Sequence, residues 1–219
     1  MSSATPSIAN RISAYSIAAA LAFTITCGTA MAADPKVPPA SPVEDRRPIA
    51  ILTTGFDYTR AEIAARLARD GEGEIIAWDV PGNDRFPFAT AGDTELMMAL
   101  VNLLPAAAPV SLLPIKVDPD DPVSLAKALA FIARTPARTV LVPMWTSTNG
   151  TWDLFAKAAA HFSDLRIVIR GCPDLIATPE TRVYPRDLDL PNLATAATAD
   201  DDPSAPLQAY VAALPCRRP

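Results

Sequence analysis

The sequence predicts a three-layer α/β/α sandwich built on a mainly parallel sheet, and three observations carry that prediction. Short uninterrupted apolar runs recur along the chain, the pattern of strands buried on both faces. Amphipathic stretches of about ten residues separate these runs, the length of the helix in a parallel βαβ unit. The chain has 219 residues, half of them apolar and a fifth charged. That is enough for one domain with a sizeable core and short for two.

The elements follow in order. Arg11 supplies positive charge, residues 12–26 are mostly small and apolar, and Ala30-Met31-Ala32 is a small-x-small cleavage site. Residues 1–32 therefore read as a secretory signal peptide, and the protein as exported, periplasmic or extracellular. Ser13, Ser16, Thr24 and Thr26 interrupt the apolar stretch, and no other run reaches bilayer length. No membrane association is expected after signal cleavage. Residues 33–47, rich in Pro, Ser and charge, read as an extended linker. The folded domain is expected over 48–216.

Within it, residues 49–52 form the first buried strand. Residues 60–69 follow as an amphipathic helix, with Ile63, Ala64 and Leu67 inward and Arg60, Arg66 and Arg69 outward. A second strand is expected at 74–78, a loop at 81–91, an apolar helix at 93–104 and a strand at 110–117. A turn at 118–122 leads to a helix over 123–134, then a strand at 139–145, a helix at 152–162 and a strand at 166–170. Residues 205–214 read as a last short helix. The crossovers are expected to be right-handed.

Charge and composition narrow the function. The net charge of −5 and a pI near 4.9 give no attraction to nucleic acid or an anionic membrane. The 23 prolines outnumber the 8 glycines, which favours rigid loops. Cys27 leaves with the leader, and Thr24-Ile25-Thr26 ahead of it is no lipoprotein signal. Cys172 and Cys216 remain, able to pair in an oxidising compartment or to stay as two thiols.

Candidate chemistry is sparse. Asp118, Asp120 and Asp121, and Asp200, Asp201 and Asp202, are the carboxylate clusters that calcium would use, but neither run has calcium-loop spacing. No zinc pattern and no glycine-rich phosphate loop is present, so no cofactor is expected. His161 is the only histidine, and it falls near a helix end, where a solvated imidazole is favoured by the helix dipole. A dyad with Cys172 would need that residue turned back across a strand, which geometry disfavours. Trp152 and Phe155, three apart on a helix, read as core. Trp145 and the turn at Asn149-Gly150 frame a loop that an exposed partner-binding face would use.

The segment IAILTTGFDYTRAEI at 49–63 resembles the stretch around the catalytic aspartate of subtilisin-like serine peptidases, the subtilases. Thr54, Gly55, Asp57 and Tyr58 match that pattern, and Thr53 stands where the family has its Asp. Further matches keep the family's order. TAGDTELMMAL at 90–100 is similar to the His-Gly-Thr-His helix start, with Thr94 kept, Gly92 at the catalytic His and Glu95 at the second His. Arg170-Gly171-Cys172 falls on Ala-Gly-Asn, so Cys172 replaces the oxyanion Asn. Residues 184–198 resemble the Tyr-Pro and Ala-Ala-Thr stretch, and counting back from Pro206 puts the nucleophile position on Asp202.

The resemblance implies a reduced subtilisin-like fold, because the segment between the oxyanion and nucleophile positions is short. Triad chemistry needs nucleophile, base, orienting carboxylate and oxyanion donors. Thr53, Gly92, Asp202 and Cys172 supply none of them. If the last helix starts beside Cys172, as the family implies, Cys216 lies about 18 Å away along it and no intramolecular bridge is expected. The reading is thus an exported, catalytically inactive subtilase-like protein, a binding or scaffolding module for a protein or peptide partner. Its alternatives are a hydrolase with a relocated site using Asp57, Asp93 or Glu95, and a fragment completed by a partner chain.

Overall fold

The computed structural model describes residues 34–43, 45–106, 108–143, 149–169 and 193–195, with 149–153 and 193–195 as backbone only. Strand β1 (Arg47–Thr53) lies at the centre of a six-stranded sheet. Its neighbours are β3 (Val110–Lys116), parallel along its whole length, and β4 (Thr139–Val142), also parallel. β2 (Trp78–Asp79) lies outside β3, and β5 (Arg166–Ile169) then β6 (Leu193–Thr195) lie outside β4. Every paired strand is parallel. The chain is an α/β protein, as its apolar runs predict.

Alternation along the strands divides the core into two layers. Ala50, Leu52, Leu113 and Ile115 pack with Leu125, Leu129 and Ile132 of α3 (Pro122–Ile132) and Phe155 of α4 (Asn149–His161). Ile49, Ile51 and Leu112 pack on the other face with Ile63 of α1 (Ala61–Ala64) and Met97 and Leu100 of α2 (Thr94–Leu103). Each fully buried aliphatic or aromatic side chain contributes about 1.5–3 kcal/mol. Phe155 is fully buried, the core position its spacing predicts.

The acidic turn at 118–121 starts α3. Asp121 accepts from the Val123 amide at 2.9 Å with Pro122 at the first helical position, and Asp118 accepts from the Asp120 amide at 3.0 Å. Among the described residues no three His, Cys, Asp or Glu side chains are grouped to hold a metal, and no helix is long and apolar enough to cross a membrane.

Three expectations are corrected. The helix expected over 60–69 stops after Ala64. β2 covers only the last two residues of β3, so Leu112 has an open edge whose backbone groups need partners. The chain at 66–68 fills it: the Leu112 amide donates to Arg66 O, and the Ala68 amide to Leu112 O, both at 2.7 Å. Arg66 therefore turns inward, not outward. Its guanidinium donates to the carbonyls of Leu104, Pro105 and Ala108 in the chain just past α2, backbone acceptors outside any helix or strand ladder. The strand expected at 74–78 is displaced to Trp78–Asp79, because Ile75 bridges Arg69 in a tight return instead.

The stretch expected as a linker overlaps β1 at Arg47. Residues 34–43 carry no helix or strand and belong to the same compact unit as the sheet. Tyr58 donates its hydroxyl to Pro35 O at 2.6 Å, Arg69 donates to Pro38 O, and the Ala40 amide to Gly73 O. Gly73 has φ +82, and a Cβ there would meet Ala40 O at 2.6 Å. Only glycine fits beneath that crossing.

Candidate functional site

Three strands end together at the carboxyl edge of the sheet, where Thr53 of β1 pairs with Lys116 of β3, and Lys116 with Asp79 of β2. By alternation all three share the face of Ile49 and Ile51, which α2 covers. Carboxyl ends of parallel strands are where open α/β sheets place their ligands.

Two polar nodes occupy this row. In the first, one oxygen of Asp93 accepts three hydrogen bonds: from the Thr54 amide at 2.7 Å, and from the Thr53 and Thr54 hydroxyls at 3.0 Å each. Thr53 in turn accepts from the Gly55 amide at 3.1 Å. Asp93 is only 2 % exposed, so its carboxylate needs such donors. It stands at the N-cap of α2 but does not cap its own helix; the side chain crosses to the end of β1. In the second node, Lys116 Nζ lies 2.6 Å from Asp79 and donates to Phe88 O at 3.2 Å, while Asp79 accepts from the Gly82 amide at 2.8 Å.

The loops around these nodes are joined by backbone contacts. The Phe56 amide donates to Pro87 O, the Ala89 amide to Phe56 O, and the Asp93 amide to Gly55 O at 2.8 Å. Thr94 accepts from the Asp57 amide at 2.9 Å. Gly92 has φ +129, and a Cβ on it would sit 2.5 Å from Gly55 O. No side chain, imidazole included, fits at position 92 with this backbone.

The structure brings two of the four residues singled out by the subtilase resemblance into one place. Thr53 and Gly92 meet through Gly55 and Asp93. Cys172 and Asp202 lie outside the described residues, as do Cys216, Trp145, Asp200 and Asp201. The three carboxylates considered for a relocated site have separate surroundings. Asp93 is the buried acceptor. Asp57 accepts from the Thr59 amide and hydroxyl, and Glu95 is exposed, 3.6 Å from Arg60. His161 is exposed and meets Phe162 edge to face at the end of α4.

Lys116 and Asp79 were not expected as site residues. The signal was present: each is a charged residue directly closing a buried strand. Near them, Tyr58 is fully buried between Phe56 and Phe88. Burial first, then the charges of Asp34, Asp84 and Asp57, push its phenol pKa well above the usual range.

No protein-family model and no curated protein matches this sequence. Among solved structures, the nisin leader peptidase NisP from Lactococcus lactis is similar at a TM-score of 0.47 and 11 % identity, over 68 % of this chain and 55 % of that one. The chain thus spans about half the length of that peptidase.

Proposed function

We propose that this protein is an exported binding or scaffolding module of subtilase type. At the strand end where that family carries a catalytic pair, it has a structural clasp. One observation carries the reading. Asp93 accepts three hydrogen bonds from Thr53 and Thr54 beside a Gly92 that admits no side chain. A general base must present a free acceptor to the proton it removes. The oxygen of Asp93 that faces β1 is occupied by donors of the fold. The occupant of the module is a protein or peptide.

Purified protein incubated with generic peptide and ester substrates is expected to give no turnover above background. Turnover that disappears in Asp93→Asn, with the fold intact by circular dichroism, would refute the reading in favour of a hydrolase with a relocated acid. Export is checked by sequencing the amino-terminus of the protein recovered outside the cytoplasm, which is expected to begin at Ala33.

A further inference from the structure

The opposite edge of the sheet holds a cleft of about 340 Å³. Pro48 and Ser111, register partners across β1 and β3, form part of its lining, together with Ala68, Ile76 and Pro136. The size is that of a small-molecule site, and the lining is mostly apolar with a few polar groups.

Two features of the lining are unusual. Ser111 is only 6 % exposed, and among the described residues its hydroxyl has no hydrogen-bond partner. Buried hydroxyls are ordinarily satisfied, and an exception asks for an explanation. Arg46, also on the cleft and partly buried, uses one guanidinium nitrogen on Ala65 O at 2.9 Å. Arg46 and Arg69, both on the cleft, have no carboxylate within ion-pair distance among the described residues, in a chain of net charge −5. Desolvation and then the charge of Arg66 lower the pKa of Arg46.

We propose that this cleft binds a small organic carboxylate with an apolar group. The anion takes the remaining donors of Arg46 and the Ser111 hydroxyl, and the apolar part lies against Pro48, Ile76 and Pro136. Arginine suits a carboxylate because its donors match the two oxygens. Apolar walls favour an acid with a hydrocarbon body over inorganic phosphate. Two sources present that chemistry: a free carboxylic acid, or the carboxyl-terminus of a peptide ending in an apolar residue.

The test titrates the full chain, followed by amide NMR, with 4-methylpentanoate and with the tripeptide Ala-Pro-Leu, each beside its neutral amide. Saturable shifts at Ser111, Ile49 and Ala68 are expected for the acids, and about tenfold weaker binding for the amides. Ser111→Ala removes no hydrogen bond seen among the described residues, so it should fold and weaken the acids several-fold; Arg46→Gln should weaken them more. Binding by the free acid alone, or by the peptide alone, supports the site and identifies its source. The proposal is overturned if neither acid saturates, if the amides bind equally, or if Ser111→Ala binds as tightly as the parent chain.

Discussion

The two edges of the sheet treat polar groups in opposite ways. At the carboxyl edge, Asp93 has three donors and Asp79 has Lys116 and a backbone amide. At the amino edge, Ser111 is buried without a described partner, and Arg46 faces no described carboxylate. A catalytic edge would be expected to hold unmet groups poised for substrate. Here the edge that matches the peptidase resemblance is the satisfied one, and the groups without a partner among the described residues lie at the other end of the same strands.

Substitutions at the two edges should reproduce that contrast. The largest effect is expected from Asp93→Ala, which leaves two hydroxyls and a backbone amide without their acceptor. Urea unfolding should show a loss of about 4 kcal/mol. A loss under 1 kcal/mol would break the comparison at its strongest point. Gly92→His, which places an imidazole where the subtilase resemblance has one, should cost about 3 kcal/mol through strain and the clash with Gly55 O, read as a lower melting temperature. Unchanged stability would mean the loop can open for an imidazole.

Smaller effects sharpen the picture. Tyr58→Phe should cost about 1 kcal/mol by releasing Pro35 O. It should also flatten the alkaline limb of the stability profile. With the folded phenol pKa raised above its ordinary value near 10, both states are neutral below that pH. Above it the unfolded chain ionises first, so stability falls with rising pH. An alkaline limb unchanged by the substitution would remove Tyr58 as its source. The smallest effect is Ser111→Ala, expected within about 0.5 kcal/mol of the parent because no described hydrogen bond is lost. A loss above 1 kcal/mol would show the hydroxyl to be bonded and erase the contrast between the edges.

The strands at 49–52, 110–117 and 166–170 were legible because continuous apolar runs have a direct physical cause, burial on both faces. Helix α2 followed from the apolar period. Helix α1 was overread because residues 60–69 carry a helical pattern, yet the open edge of β3 at Leu112 captures their second half. No local pattern announces that demand. The same limit applies to the site. Thr53 and Gly92 could be named from a resemblance, but the Asp93 node joins residues about forty positions apart, and Lys116 meets Asp79 across thirty-seven. Such pairs exist only once the register of β1, β2 and β3 is known.

The clasp of Arg66 on the carbonyls of Leu104, Pro105 and Ala108 has a mechanical consequence. Helix α2 is held at its front by a negative side chain and behind by a positive one, the polarity its own dipole favours. Between these two ends Met97, Leu100 and Val101 bury the middle of the helix in the core, so polar contacts fix its termini and apolar packing fixes its length.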